Sequence, residues 1–398
     1  MSSNSFKTVL VFGNAPHLVD KVRSLGFRVA QFLPPVDAPD FTYQTSYSVY
    51  ITDYENEDSY LHVVASLAEK QDIVGVVSLS EAGMLPASRS AERLGLRFAA
   101  VDQVVVSRDK YMMREKLRSE LGHSIKYTRA YNNDDVHRFI EVAGYPVIAK
   151  PIDGVASENV QAIRTPEDLA KLSPSCWPVL LEEMIDGIEI SVDFLGVDGE
   201  LHYLGINEEI KRCADLDNEF VEGQHVFPAR ITEHEGAKAV AYVQECLRAL
   251  GLTNGPSHTE LKLTAGEPVI IETHCRFGGD NITELCSRSR GIDLLSEYVF
   301  WATGSVPSVE AQRHLGASIC YFDCPPGVIT DIIGIHDAKS NPDVVRVEMN
   351  KKVGDFIGPI RHSPDRPGYL IVTAETGSRA AEIAKRVASM VQIKTEPV

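Results

Sequence analysis

Apolar and polar positions alternate in recognisable units from the start of the chain. Residues 7–12 (KTVLVF) are an apolar run, Gly13 interrupts it, and a helical spacing of apolar positions follows over 16–25 up to Gly26. The unit returns as a strand over 27–33, an amphipathic stretch over 59–70, an apolar run over 73–79 and a helix over 81–94. Strands alternating with helices in this way predict a parallel sheet covered on both faces. From Ser107 the pattern changes to a charged amphipathic helix over 108–121, followed by strands at 127–131 and 146–151. Strands at 179–182 and 189–195 flank Asp186-Gly187, which reads as a hairpin turn. A helix over 236–251, closed by Gly251, precedes strands at 260–263 and 269–272 joined through Ala265-Gly266, and a last helix is expected over 378–392. The fold class is therefore α/β, with an N-terminal βα domain over 1–106, a central subdomain over 107–190, and a C-terminal lobe over 191–398 whose terminal subdomain starts near 308.

A chain of 398 residues exceeds one ordinary core, so a cleft between lobes suited to a small ligand is expected. Thirty-nine basic against 56 acidic residues give a formal net charge of −17, which opposes nonspecific attraction to nucleic acid or an anionic membrane. Neither is expected as a partner. Residues 1–7 are polar and the apolar stretch over 9–12 is too short for a signal peptide; with no segment near a membrane span, a cytoplasmic location is expected. Seven cysteines without a C-x-x-C pair argue against a disulfide framework or a structural zinc site. Cys275 lacks the His/Asn pattern of a nucleophile and reads as a packing residue. GNAPHL, from Gly13, lacks the G-x-G-x-x-G spacing of a dinucleotide site.

Candidate chemistry concentrates between His258 and Asp280. Glu260 and Glu272 lie on two strands joined by a tight turn, so cross-strand pairing can bring their carboxylates together. Oxygen ligands with an incomplete protein shell suit Mg²⁺. The sequel E-T-H-C-R-F-G-G-D adds a possible ligand at His274, an arginine at Arg276 and a Gly278-Gly279 turn whose backbone can approach an anion. Upstream, PVIAK ends on Lys150, and Gly154, Ala156 and Ser157 could form a flap over phosphates without the P-loop pattern. LLEEMIDGIEISVDF mixes strand residues with acids, among them Glu182, Glu183 and Glu189.

The ordered set of PVIAKP, EEMIDGIEIS, NEFVEGQHVFPA, HTELKL, IIETHCRFGGD and PDRPGY resembles the ATP-grasp superfamily, and within it the carboxylate–amine ligases that include L-amino acid ligases. The resemblance spans essentially the whole chain. It implies a three-lobed architecture with an ATP cleft between two α+β lobes. It also implies phosphate contacts from Lys110 and Lys150, adenine contacts from Glu182 and the backbone at Glu183 and Ile185, and ribose contact from Glu189. Magnesium, with manganese as a substitute, would sit on Glu260 and Glu272; His274 stands where the family usually has asparagine. Arg276 would touch the reacting phosphate and the substrate carboxylate, and Glu222 and His225 would face substrate. The implied reaction joins a small carboxylic acid to an amine or amino acid through an acylphosphate, and a homodimer through N-terminal domains would be common. Arg288 and Arg290 read as a solvated pair or an acidic-substrate contact. A kinase-like or carboxylase-like use of the same site, and a nucleotide-binding regulator without turnover, stay open as alternatives.

Overall fold

The computed structural model describes residues 7–37, 48–154, 158–170, 172, 177–212 and 220–397. Ser157, Cys176 and Cys213, and the first two residues of NEFVEGQHVFPA, lie outside them. The N-terminal βα pattern folds as expected into a four-stranded parallel sheet in the order Ser48–Ile51, Arg28–Leu33, Lys7–Phe12, Asp72–Ser78. Both faces of its central strand are covered. Leu10 and Phe12 pack with Tyr60 and Val64 of the helix Glu57–Ala68, and Val9 and Val11 pack with Leu18, Val19 and Val22 of the helix Pro16–Ser24. Gly13 takes φ +95° at the strand end, where a Cβ would stand 2.3 Å from the Cβ of Ser80.

The helix expected over 108–121 is Lys110–Leu121, and a separate helix, Val101–Arg108, precedes it. Asp109 breaks them with an extended backbone, and its carboxylate accepts the Met112 N–H at 2.8 Å, the usual task of an N-cap aspartate. Lys110 thereby becomes the first residue of a helix. The central sheet is antiparallel in the order Tyr127–Ala130, Val179–Glu183, Val147–Pro151, Gln161–Ile163, with Val136 and Phe139 of the helix Asn133–Ala143 packed on it.

One expected hairpin is not a hairpin. Val179–Glu183 ends in the central sheet, whereas Ile188–Val197 belongs to an eight-stranded antiparallel sheet, so Asp186-Gly187 is a crossing between sheets. A Gly at φ +149° whose Cβ position is 2.3 Å from the Leu263 carbonyl oxygen serves close passage past another strand, which short-range turn chemistry does not distinguish from a hairpin. The large sheet runs Glu267–His274, Gly255–Thr264, Ile188–Val197, Glu200–Lys211, Glu222–Phe227, Gly316–Tyr321, Gly368–Ala374, Val344–Met349. The expected terminal helix spans only Gly377–Ala388, and Gln392–Glu396 forms a strand beside Gly327–Ile333.

Period-two alternation sorts the large sheet into two unlike faces. Ile190, Val192, Phe194, Ile206, Leu261 and Ile270 pack beneath Val243, Cys246 and Leu247 of the helix Glu233–Leu250. The register places Glu189, Ser191 and Asp193, then Asn207 and Glu209, then His258, Glu260 and Lys262, on the opposite face. Candidate chemistry is gathered there.

Candidate functional site

Glu260 and Glu272 are direct cross-strand partners, and so are His258 and His274 two residues away. The expected hairpin thus brings both carboxylates to one face. Ile271 is an extra residue: Glu260 pairs with Glu272 but Leu261 pairs with Ile270, which makes a bulge in the edge strand. Glu260, Glu272 and His274 each offer one ligand atom, all within 4.8 Å of one another. Two carboxylates and an optional imidazole are a donor set that fits a hard divalent cation. His274 Nε2 lies 3.3 Å from Glu272 and its Nδ1 3.2 Å from Glu81, so the ring is held between two acids.

Both expected lysines reach this face. Lys110 Nζ is 2.7 Å from Glu272 and donates to the Gly154 carbonyl at 2.6 Å, where the glycine-bearing loop begins. Burial pushes the Lys110 ammonium down in pKa, but Glu272 outweighs it and the net direction is upward. Glu272 shows the complement: burial raises its carboxyl, and Lys110 brings it well below the usual range. Lys150 Nζ is 2.6 Å from Glu182 Oε2. The other oxygen of Glu182 accepts from Arg114 Nε, so burial is outweighed by two cations and the carboxyl falls to about 2. Both Glu182 oxygens are therefore engaged by basic side chains.

Arg114 did not stand out in the sequence because it sits on a helix rich in basic residues. Its side chain is nearly fully buried, and besides Glu182 it donates to the carbonyls of Ile270 at 2.8 Å and Ile271 at 2.9 Å. One guanidinium thus ties the sheet-to-sheet crossing to the bulge beside Glu272. Glu183 donates its N–H to the Lys126 carbonyl, and Ile185 follows on the pocket wall. Glu189 is held by Lys211 at 2.5 Å and Lys262 at 2.8 Å. These lysines could have been found by extending the alternation to N-x-E-x-K and H-x-E-x-K. A cavity of about 180 Å³ is lined by Lys110, Lys150, Glu182, Ile185, Glu189 and Glu272, among others.

Arg276 donates to Glu81 at 2.6 Å and to the Phe277 carbonyl at 3.0 Å. Glu81 opens the helix Glu81–Leu94 of the N-terminal domain and was not singled out in sequence, since an acid in a first helical turn is ordinary. Although burial raises its carboxyl, His274 and Arg276 hold it well below the usual range. Arg276, Glu81, His274, Glu272 and Lys110 therefore form one unbroken line of charges. Gly278 has a packing requirement of its own: a Cβ there would lie 2.7 Å from His258 Nδ1, whereas Gly279 has open space around it. The turn continues through Asp280 and Asn281, both left-handed at φ 52° and 60°.

Glu222 and His225 form a neighbouring cluster. Glu222 accepts from Lys211 at 2.5 Å and from the Ser363 hydroxyl at 3.3 Å. His225 Nε2 is 3.4 Å from Asp280, which also accepts from Arg366 at 2.6 Å. Arg366, from PDRPGY, lies 3.5 Å over the Tyr321 ring and donates to the Glu222 carbonyl. Arg288 is bonded to Glu284 at 2.7 Å and Arg290 to the Val309 carbonyl at 2.9 Å, so both have structural partners. Burial pushes the Cys275 thiol up to about 12, consistent with packing.

Residues 143–284 match the ATP-grasp domain model, and residues 321–396 match the model of L-amino acid ligase C-terminal domain 2. The chain belongs to the ATP-grasp superfamily. This ATP-grasp protein is 26% identical to the alanine–anticapsin ligase of Bacillus subtilis (strain 168), over 72% of its own length and 73% of that protein. It is 25% identical to dapdiamide A synthase of Enterobacter agglomerans, over 82% of each. Its fold is similar to that of L-amino acid ligase from Bacillus licheniformis, with a TM-score of 0.86 at 22% identity over 99% of this chain and 100% of the other. It combines an ATP-grasp domain with a C-terminal domain of the L-amino acid ligase type. No helix among the described residues is long and apolar enough to cross a membrane.

Proposed function

We propose that the enzyme joins a small carboxylic acid to an amine, with amino acids as the preferred class, through an acylphosphate and with release of ADP and phosphate. The observation that supports this reading is the connected line of charges Arg276, Glu81, His274, Glu272, Lys110, which brings an arginine, acids and a lysine suited to carboxylate, metal and phosphate close together. The substrate carboxylate attacks the γ-phosphorus of ATP, and the bond from that phosphorus to the ADP oxygen breaks. The amine then attacks the acyl carbon, loses a proton and expels phosphate.

Phosphoryl transfer is chiefly positioning and charge neutralisation, so the site needs cations rather than a nucleophile. Lys110 and Lys150 would hold the phosphates. Glu182, with the backbone at Glu183 and Ile185, would border the adenine, and Glu189 the ribose. Glu260 and Glu272, with His274 beside them, would hold Mg²⁺, with Mn²⁺ as a substitute; the ion would supply charge neutralisation at the β- and γ-phosphates. Arg276 would steady the reacting carboxylate and phosphoryl oxygens, and Glu222 and His225 would face the substrates. The loop beginning at Gly154, with Ser157, would exclude water, because an acylphosphate hydrolyses.

Phosphate release is to be measured over a matrix of acids and amines, with mass spectrometry of the products. Release that requires both substrates and yields an amide supports the ligase. ADP formation with one substrate, with a phosphorylated or carboxylated product and no amide, would replace it by the kinase-like or carboxylase-like reading.

A further inference from the structure

A second cluster lies on the same sheet face, on the far side of Glu260 from Glu272. Glu209, His258 and Glu260 each offer one ligand atom, and the three atoms lie within 4.8 Å of one another. Three observations separate this cluster from an ordinary group of acids. Glu209 and His258 are only 6% and 3% exposed, so water does not satisfy them as it would at a surface. His258 Nδ1 is 2.7 Å from Asp193 Oδ1, and Asn207 donates to the other Asp193 oxygen at 3.3 Å. That arrangement fixes the ring and turns Nε2 toward Glu260, 3.6 Å away, as an outer carboxylate orients an imidazole for metal binding.

The third observation is a buried acid without an ion pair. Glu189 and Glu222 both ion-pair with Lys211, but Glu209 has no ion-paired basic side chain among the described residues. Its Oε1 is buried without a hydrogen-bond partner. A buried carboxylate oxygen left open beside an aimed imidazole and a second carboxylate is a place for a cation.

We propose that Glu209, His258 and Glu260 bind a divalent transition-metal ion of the zinc, cobalt or manganese class, at a site distinct from the one at Glu272. With Nδ1 taken by Asp193, His258 offers Nε2 beside two carboxylates, a set that suits such ions better than magnesium, which prefers an all-oxygen shell; His274 differs in that both of its nitrogens already face acids, which leaves the carboxylates of Glu260 and Glu272 as oxygen donors. Glu260 is shared with the proposed magnesium site, so a cation here would neutralise Glu209 and fix the Glu260 carboxylate for its other role. The assignment rests on sheet geometry and not on the ligase chemistry.

The test uses the full-length protein, stripped with a chelator and kept free of nucleotide, titrated with Co²⁺ by visible absorption and with Zn²⁺ by calorimetry. One tightly bound ion per chain is expected, with a Co²⁺ spectrum showing nitrogen ligation. His258→Gln and Glu209→Gln should each weaken binding by at least about tenfold, the scale on which removing a ligand or its support acts. Glu272→Gln should leave that ion in place. Glu209→Gln is near-isosteric, so it keeps the test decisive if His258→Gln fails to fold, with circular dichroism as the check on both. Absence of Co²⁺ and Zn²⁺ uptake by the unaltered protein overturns the proposal. Loss of the ion in Glu272→Gln with retention in Glu209→Gln also overturns it, by moving the ion to the other cluster. Mg·ATP binding, measured separately, reports on the ligase reading, so either reading can fail alone.

Discussion

At the end of the large sheet that carries Glu260, the same four strands make two faces that obey opposite rules. On one face Ile190, Val192, Phe194, Leu261 and Ile270 are excluded from water by a helix, and what matters there is volume. On the other stand the ionisable groups Glu189, Glu209, His258, Glu260, Lys262, Glu272 and His274, most of them in contact with acidic or basic partners. The difference teaches that stability and chemistry are divided by residue parity along one strand, so neighbouring substitutions should fail in different ways.

The largest contrast is between Glu272→Gln and Leu261→Ala. Glu272→Gln should lower ligase turnover by about a thousandfold, the scale of losing a key electrostatic group, while leaving the denaturation midpoint close to that of the parent. Steady-state phosphate release and urea unfolding check the two halves, and unchanged turnover would remove Glu272 from the site. Leu261→Ala, on a fully buried side chain, should cost about 3 kcal/mol of stability, as cavities in packed cores do, with turnover per folded molecule little changed. A turnover loss matching that of Glu272→Gln would break the division between faces.

Acid sharpens the comparison. Glu182 has a folded pKa of about 2, below an unfolded value near ~4.3. Its contribution is therefore fully present above the unfolded value and is lost as pH falls through about 2, amounting to on the order of 3 kcal/mol. Stability followed from pH 5 to 2 should show this loss in the parent, and it should be reduced in Arg114→Met, where one of the two cations holding Glu182 is gone. The smallest effect is expected where the hairpin reaches solvent. Glu267→Gln removes the exposed partner of Lys238 and should change stability by less than about 0.5 kcal/mol, measured by the same unfolding assay.

Much of this arrangement was legible in sequence where it depends on short-range pattern. The βα units are set by local apolar spacing, and Glu260 and Glu272 flank a turn in which Ala265 and Gly266 take φ values of 50° and 82°. The reading failed where two long-range outcomes share one local signature: Asp186-Gly187 looks like a hairpin turn but passes the chain from one sheet to another. Arg114 and Glu81 were missed because their roles depend on partners 68 and 195 residues away, and nothing in their own neighbourhoods marks them, whereas Lys211 continues an alternation that could have been followed. The break at Asp109 could have been read, since an aspartate before a lysine-led amphipathic run is an N-cap signal.

The bulge at Ile271 has an odd bearing on insertions and deletions. Excising that one residue would restore an unbroken ladder without reversing which side chains point where, since Glu272 and Ile270 already face opposite ways. What such a shortened chain would lose is one of the two carbonyls that anchor Arg114 and a piece of the cavity wall. The extra residue is a removable spacer, so this strand offers engineers and natural variation a single-codon route to reshape the pocket while keeping Glu272 in phase.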